Sequence, residues 1–184
     1  MVYILLADGF EEVEAVSPAD ALRRAGVETA FVGVTGMTVT ASHGLKVTAD
    51  MALSEIDAAS CEAIVVPGGL RGVRNIAASG QAMDAVRTAF EAGRLVGAIC
   101  AGPTVLARLG ILRGRRAVCY PGMEDHLTGA RVVPGAAVVT DGKIVTSRSA
   151  GTAWDFAFAL LSALRGPEAA RKIAGDVHYD HLEG

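Results

Sequence analysis

Short, uninterrupted apolar runs recur along this chain, and several of them end in glycine or in Asp-Gly. They include residues 2–7, 63–66 and 95–99, and segments with helical patterning follow at 11–26 and 79–93. An apolar run of this length is typical of a strand that is buried on both faces of a parallel sheet. Alternating strands and helices imply right-handed crossovers, so we expect an α/β fold whose open, mostly parallel sheet is covered on both faces.

The helical segments carry recognisable start and stop signals. Residues 11–26 have acids in the first turn, arginines in the last turn and Gly26 at the end, while Pro18 is expected to kink the helix or mark a second start. Ser79 and Gly93 are suited to cap the two ends of the next helix. Other expected elements are strands at 28–34, near 116–120 and at 143–147, short β pieces around residue 44, and helices at 103–109 and 151–164.

Composition limits the classes of protein that remain. The chain has 184 residues, 51% hydrophobic and 20% charged, and no linker or repeat divides it, so we expect one domain over 1–184. The net charge of -3 comes from interspersed charges, which disfavours a nucleic-acid partner. The N-terminus lacks the basic region of a signal peptide, and the longest uncharged apolar stretch, 95–107, is too short to span a bilayer. We therefore expect a cytoplasmic protein without a membrane segment.

Three segments with unusual chemistry follow expected strands: DGFEEVE from residue 8, PGG from residue 67 and CAGP from residue 100. Ligands of such sheets bind beyond the carboxyl ends of the strands. Cys100 is placed at a tight strand-to-helix turn, where the helix N-terminus is expected to lower the pKa of the thiol. The alternative is that Cys100 is a small buried hydrophobe, as free cysteines often are. The other two cysteines, Cys61 and Cys119, show no disulfide or zinc-binding spacing and are expected to be reduced.

Two further groups favour a catalytic interpretation of Cys100. Backbone amides at Gly68 and Gly69 are suited to an oxyanion hole, although these glycines are equally compatible with a simple tight turn. Glu14 is expected near the same edge of the sheet, where it would share one proton with the thiol. Glu11 and Glu12 compete for that role, and all three acids also suit the first turn of a helix.

Four separated segments resemble the DJ-1/ThiJ/PfpI superfamily, in particular its small single-domain branch that includes the parkinsonism-associated protein. The segments are DGFEEVEAVSPADALRRAG, VVPGG, GAICAGPTVLA and VTSRSAGTAWDFA, and the resemblance covers about residues 2–164. It implies a flavodoxin-like three-layer sandwich, a homodimer and no cofactor or metal. It also implies that Cys100 is the nucleophile-elbow cysteine and that Glu14 is its protonated partner. The oxyanion-hole amides would then be those of Gly69 and Ala101, with Arg24 and His43 near the substrate pocket.

Departures from the family pattern disfavour some of the reactions that family members catalyse. Peptidase-like members carry a histidine directly after the cysteine, whereas this chain has Ala101, which disfavours a peptidase. The parkinsonism-associated protein has a histidine before the proline of a later loop, where this chain places Tyr120, and we expect Tyr120 to line the substrate pocket. His126 would reach the pocket only if its loop folds back, and His178 and His181 are expected to lie in a tail. Without an imidazole base, a glutamine amidotransferase is also disfavoured.

Two classes of function follow from the resemblance. The first is a cofactor-free enzyme that acts on reactive α-oxoaldehydes, converting methylglyoxal to lactate or removing early glycation adducts, with Glu14 moving protons. The second is a redox sensor or holdase chaperone in which Cys100 is oxidised to a sulfinate that Glu14 binds. Both classes use the same pocket. The presence of donors for an oxyanion favours the enzyme.

Overall fold

The computed structural model of the chain describes residues 1–181 and places a central sheet between two layers of helices. The strands are β1 (Val2–Leu6), β2 (Thr29–Gly33), β3 (Thr38–Thr40), β4 (Lys46–Thr48), β5 (Met51–Ala52), β6 (Ala63–Val66), β7 (Leu95–Ile99), β8 (Arg116–Ala117), β9 (Arg131–Val132), β10 (Val138–Asp141) and β11 (Ile144–Ser147). The helices are α1 (Glu12–Arg24), α2 (Leu70–Ala78), α3 (Gly80–Glu91), α4 (Pro103–Arg108), α5 (Ala153–Arg165) and α6 (Pro167–Asp176).

Seven strands form the main sheet in the order β10-β11-β7-β6-β1-β2-β5. All neighbours are parallel except β10 and β11, which confirms the expected mostly parallel α/β sheet. The short pieces β3 and β4 form an antiparallel hairpin outside it. The strand expected near residues 116–120 is reduced to β8, which pairs with β9 in a separate two-stranded sheet. This strand is therefore shorter than expected, and it lies outside the main sheet.

The core lies on both faces of the sheet, which explains why the strands are apolar throughout. Along β1, Val2, Ile4 and Leu6 pack among residues of α1, α5 and α6. The alternate residues Tyr3 and Leu5 pack among residues of α2, α3 and α4. Successive side chains of a strand point to opposite faces, so a strand covered on both sides needs apolar residues at every position.

Two helices differ from the sequence-based expectation. Helix α1 continues through Pro18, so no second start occurs there. Helix α2 was not expected, because Gly72 interrupts its apolar pattern. Gly72 is needed at this position because an added Cβ would lie 2.8 Å from the backbone of Phe10.

The strand order changes direction next to β1, and this creates the edge at which a site can form. The chain passes from β1 to β2 on one side and later returns to β6 on the other side. The segments that follow β1, β6 and β7 therefore meet above three adjacent strands, where ligands of open α/β sheets bind. Among the described residues, no helix combines the length and the hydropathy that crossing a membrane requires.

Candidate active site

Cys100 is the first residue after β7 and has a positive φ of 63°. This left-handed conformation is uncommon for a residue with a side chain and is sustained only when the surroundings hold it. The Cys100 N–H donates to the carbonyl of Ser147 at 2.9 Å, and its own carbonyl accepts from the Tyr120 N–H at 2.9 Å. Two neighbouring segments thus fix the strand-to-helix turn that presents the thiol.

Glu14 lies in the first turn of α1 and is completely buried, with 0% of its surface exposed. Its backbone N–H donates to the carboxylate of Glu11, which caps the helix, at 3.0 Å. Its side-chain atom Oε2 accepts a 2.8 Å hydrogen bond from the Gly68 N–H. The other oxygen, Oε1, is buried and has no hydrogen-bond partner among the described residues.

Gly68 lies between Glu14 and Cys100, and its lack of a side chain allows the two to face each other. A Cβ at this position would collide with Glu14 Oε2 and lie 2.6 Å from Cys100 Cβ. The Gly68 N–H is already bonded to Glu14, so it is not free to serve the oxyanion hole for which the sequence suggested it. The backbone N–H groups of Gly69 and Ala101 face the Cys100 sulfur instead and lower the pKa of the thiol.

Burial dominates the ionisation of this pair. It raises the pKa of Glu14 to about 7, and the nearby Glu11 carboxylate acts in the same direction. Burial, followed by the charge of Glu14, raises the pKa of Cys100 to about 12. The expectation that the turn lowers the pKa of Cys100 is therefore wrong when Glu14 is ionised, because a second negative charge must then form at the same site.

The hydrogen bonds indicate where the single charge of the pair resides above pH 7. A carboxylate at Glu14 would leave charge on Oε1, which no donor reaches. A protonated Glu14 can instead donate to the sulfur, with which its side chain is in hydrogen-bond contact, and the amides of Gly69 and Ala101 stabilise the negative charge of the sulfur. Since an unpartnered buried charge is costly, we infer that the singly ionised pair is a thiolate beside a protonated Glu14.

Alkylation should therefore modify Cys100 before the other thiols at pH 7. Cys61 and Cys119 are each 2% exposed and are poorly accessible to a reagent, whereas Cys100 is half-buried and belongs to the pair that loses its first proton near pH 7. The measurement is peptide mass spectrometry after brief treatment with iodoacetamide. Modification of Cys61 or Cys119 ahead of Cys100 in folded protein would contradict the assignment.

Two of the three expected substrate-binding residues, Arg24 and His43, make no hydrogen bond to Cys100 or Glu14 and pair with other acids. Arg24 is in the last turn of α1, about 15 Å along the helix from Glu14, and pairs with Asp20 at 2.9 Å. Within one chain, its placement near the pocket was therefore wrong. His43, in the β3–β4 turn, is exposed and pairs through Nδ1 with Glu12 at 2.8 Å, which raises the pKa of the imidazole.

Tyr120 adjoins the site through its backbone. Its N–H bonds to the Cys100 carbonyl, while about half of its surface is exposed. His126 lines a cleft that also includes Ala101, so its loop does fold back toward this side of the sheet. No histidine among residues 1–181 hydrogen-bonds to Cys100 or Glu14.

Glu11, Glu12 and His43 offer ligand atoms that lie within 4.8 Å of one another. Carboxylate and imidazole groups are suitable ligands for zinc. In this arrangement, however, Glu11 caps α1 and Glu12 binds both the ring and the backbone N–H of His43. The cluster is therefore explained as a link between the hairpin and α1, without a metal ion.

Comparison with known proteins places these residues in a family context. A model of the DJ-1/PfpI family matches residues 1–163. Protein dj-1beta of Drosophila melanogaster is 36% identical over 173 residues, which cover 93% of this chain and 92% of that protein. A deglycase of Pyrococcus abyssi is 37% identical over 151 residues, covering 82% and 90%. The glutathione-independent glyoxalase DJR-1.2 of Caenorhabditis elegans is 31% identical over 172 residues, covering 92% and 91%.

A solved structure shows the same similarity in three dimensions. Oxidized DJ-1 of Toxoplasma gondii has a TM-score of 0.92 and 36% sequence identity, with 98% of each chain covered. The flavodoxin-like α/β fold expected from the sequence is thereby confirmed.

Proposed function

This chain belongs to the DJ-1/PfpI family, and on that premise we propose that it is a cysteine-dependent enzyme acting on reactive α-oxoaldehydes. One observation carries the proposal: the Cys100 thiol, the buried Glu14 carboxyl and the amides of Gly69 and Ala101 converge at one point. A nucleophile, a proton carrier and oxyanion donors are the groups that addition to a carbonyl requires. The names of the nematode glyoxalase and the archaeal deglycase support the same chemistry.

The reaction begins with attack of the Cys100 thiolate on the aldehyde carbon of methylglyoxal. The carbon–sulfur bond forms, the carbonyl electrons move to oxygen, and the amides of Gly69 and Ala101 bind that oxygen. Glu14 gives its proton to the oxygen, producing a hemithioacetal. Its carboxylate then takes the proton of the first carbon and delivers it to the second oxygen, which gives an enediol. Transfer of the proton from the first oxygen to the second carbon converts the enediol to a thioester. The resulting thioester is hydrolysed by water to lactate, which restores the thiolate. Removal of glycation adducts would share the first covalent step.

The test is conversion of methylglyoxal to lactate by purified protein in the presence of a chelator and without glutathione. Lactate above the protein-free background supports the proposal. The redox alternative uses the same thiol and is favoured only if no aldehyde is converted while peroxide yields a sulfinate at Cys100. The three free cysteines among the described residues agree with a reducing, cytoplasmic location, which we also propose.

We further propose a homodimer that forms through the outer face of α1. Val13 and Val16 lie one turn apart on this helix and are 45% and 42% exposed, and Leu45 is exposed on the hairpin that Glu12 and His43 hold against α1. Light scattering at micromolar concentration should give about twice the chain mass of 18.9 kDa. Val16→Glu should give the monomer mass because it places charge in this face.

The matched control is Leu70→Glu, which changes a more exposed apolar residue on α2 and should leave the dimer intact. A wild-type monomer would refute the dimer. A dimer unaffected by Val16→Glu would refute its placement on α1.

A further inference from the structure

A cleft of about 450 Å³ lies between α2 and α4, on the side of the sheet that these helices cover. Leu70 and Arg74 line it from one face of α2, Thr104 and Arg108 line it from α4, and Ala101 lines it from the turn before α4. The loop after β8 closes the cleft with groups that include Asp125 and His126. None of the charged residues has a role in the reaction described above.

The cleft adjoins the two turns that form the candidate active site. Ala101 follows Cys100 directly, and Leu70 follows Gly69 directly. The N–H groups of Gly69 and Ala101 are those that face the sulfur. A substrate whose carbonyl oxygen is bound by these amides therefore has the cleft as its neighbouring space.

The two arginines of the cleft have no anionic partner. Arg74 and Arg108 are exposed and make no hydrogen bond or ion pair with any of residues 1–181, so their guanidinium groups are free to bind a ligand. Asp125 contributes the one opposing charge of the lining. The lining is therefore net positive. Guanidinium groups bind carboxylates and phosphates through paired hydrogen bonds.

We propose that this cleft binds an anionic group, carried by the substrate beyond the carbon that Cys100 attacks, through Arg74 and Arg108. The inference rests on the proposed function and specifies its substrate class as α-oxoaldehydes with a carboxylate or phosphate substituent, for which methylglyoxal is a truncated analogue. Arg74 lies one helical turn from Leu70, and Arg108 lies at the far end of α4, about 8 Å along the helix from Pro103. The anionic group is thus several bonds away from the reacting carbon.

The experiment compares kcat/KM for 4,5-dioxopentanoate, a carboxylate-bearing α-oxoaldehyde, with kcat/KM for its neutral methyl ester. The kcat/KM of wild type should be about tenfold or more higher for the anion than for the ester. Arg74→Gln and Arg108→Gln should each remove most of that preference because the charge-assisted hydrogen bonds are lost, and the change should appear mainly in KM. The same variants are measured with the phosphate ester of hydroxypyruvaldehyde. The substrate whose kcat/KM falls more in the arginine variants shows whether the site prefers a carboxylate or a phosphate. Arg171→Gln is the control, since this exposed arginine lies on α6, across the sheet.

Equal kcat/KM for acid and ester in wild type, or an unchanged preference in the double variant, would overturn the anion site. A binding measurement separates this result from failure of the catalytic proposal. The ligand is 4-oxopentanoate, a ketone that lacks the aldehyde. Calorimetry should show that it binds to Cys100→Ser and that it does not bind to the triple variant in which Arg74→Gln and Arg108→Gln are added. If that pattern holds while no aldehyde is converted, the anion site is supported and the enzyme proposal fails.

Discussion

Cys100→Ser is expected to abolish lactate formation from methylglyoxal, lowering kcat/KM by about a thousandfold or more, equivalent to about 4 kcal/mol of transition-state stabilisation. A serine hydroxyl is scarcely ionised near pH 7 without a strong base, and no imidazole among residues 1–181 hydrogen-bonds to this position. Glu14 does not compensate, because even with its pKa raised to about 7 its carboxylate is a far weaker base than a serine alkoxide. The measurement is lactate production with methylglyoxal as the sole substrate.

Cys61→Ser is the matched control for this substitution. Cys61 is buried below α3, its thiol donates to the Ala58 carbonyl at 3.3 Å, and a hydroxyl can make the same bond. This variant should retain wild-type turnover. Lactate formation by Cys100→Ser at the wild-type rate would show that the thiol is not the nucleophile. If wild type forms no lactate, the redox alternative gains support from a Cys100 sulfinate that appears after mild peroxide treatment.

Local sequence patterns were sufficient for the sheet and for the choice of Cys100, whereas the choice of Glu14 over Glu11 and Glu12 came from the family resemblance. Glu14 lies in the helix after β1, Gly68 lies just after β6, and Cys100 directly follows β7. Parallel pairing of these three strands brings the groups together. Helix α2 could not be recognised, since Gly72 is required by its contact with Phe10 rather than by helix propensity. Arg24 was misplaced because position along a helix decides which end of the sheet a side chain reaches.

The electrostatics of the site could not be derived from the sequence. The pKa of Cys100 depends on its burial and on the Glu14 carboxyl, both of which are set by tertiary packing. The role of Gly68 likewise became clear only when its N–H was found bonded to Glu14. Arg74 and Arg108 lie 34 positions apart and resemble ordinary surface arginines until α2 and α4 are placed side by side.

Glu14→Gln should lower kcat by about a hundredfold or more while leaving the rising limb of the pH–rate profile in place. In wild type the pair loses its first proton near pH 7, so activity should rise through pH 7 and then remain level until the second ionisation near pH 12. The glutamine amide can donate to the sulfur, so the thiolate still forms, but the amide cannot carry a proton. The measurement is kcat against pH for wild type and variant, together with the ultraviolet absorbance of the thiolate.

Glu14→Asp distinguishes a specific contact from a general effect of charge. The shorter side chain retains the carboxyl but withdraws it from Gly68 and Cys100, so it should ionise more readily and then disfavour the thiolate. The thiol pKa should therefore be higher in the aspartate variant than in the glutamine variant, where it should stay close to the wild-type step near 7. A thiol pKa of 11 or above in Glu14→Gln would show that the charge resides on the carboxylate in wild type.

Folding stability gives a further readout of the Glu14 proton and shows that the glutamine variant is folded. The pKa of Glu14 is raised from 4.5 to about 7 in the folded protein, so the folded state retains a proton that the unfolded state loses between these values. Wild-type stability should therefore fall as the pH rises from 4.5 to 7, by about 3 kcal/mol. Glu14→Gln has no carboxyl at this position and lacks this loss. The free energy of unfolding of the variant, relative to that of wild type, should therefore be about 3 kcal/mol higher at pH 8 than at pH 4. Urea unfolding at the two pH values measures the shift.

A constant difference in the free energy of unfolding would mean that Glu14 ionises near pH 4.5 in the folded protein. The protonated partner proposed for Cys100 would then not exist at neutral pH.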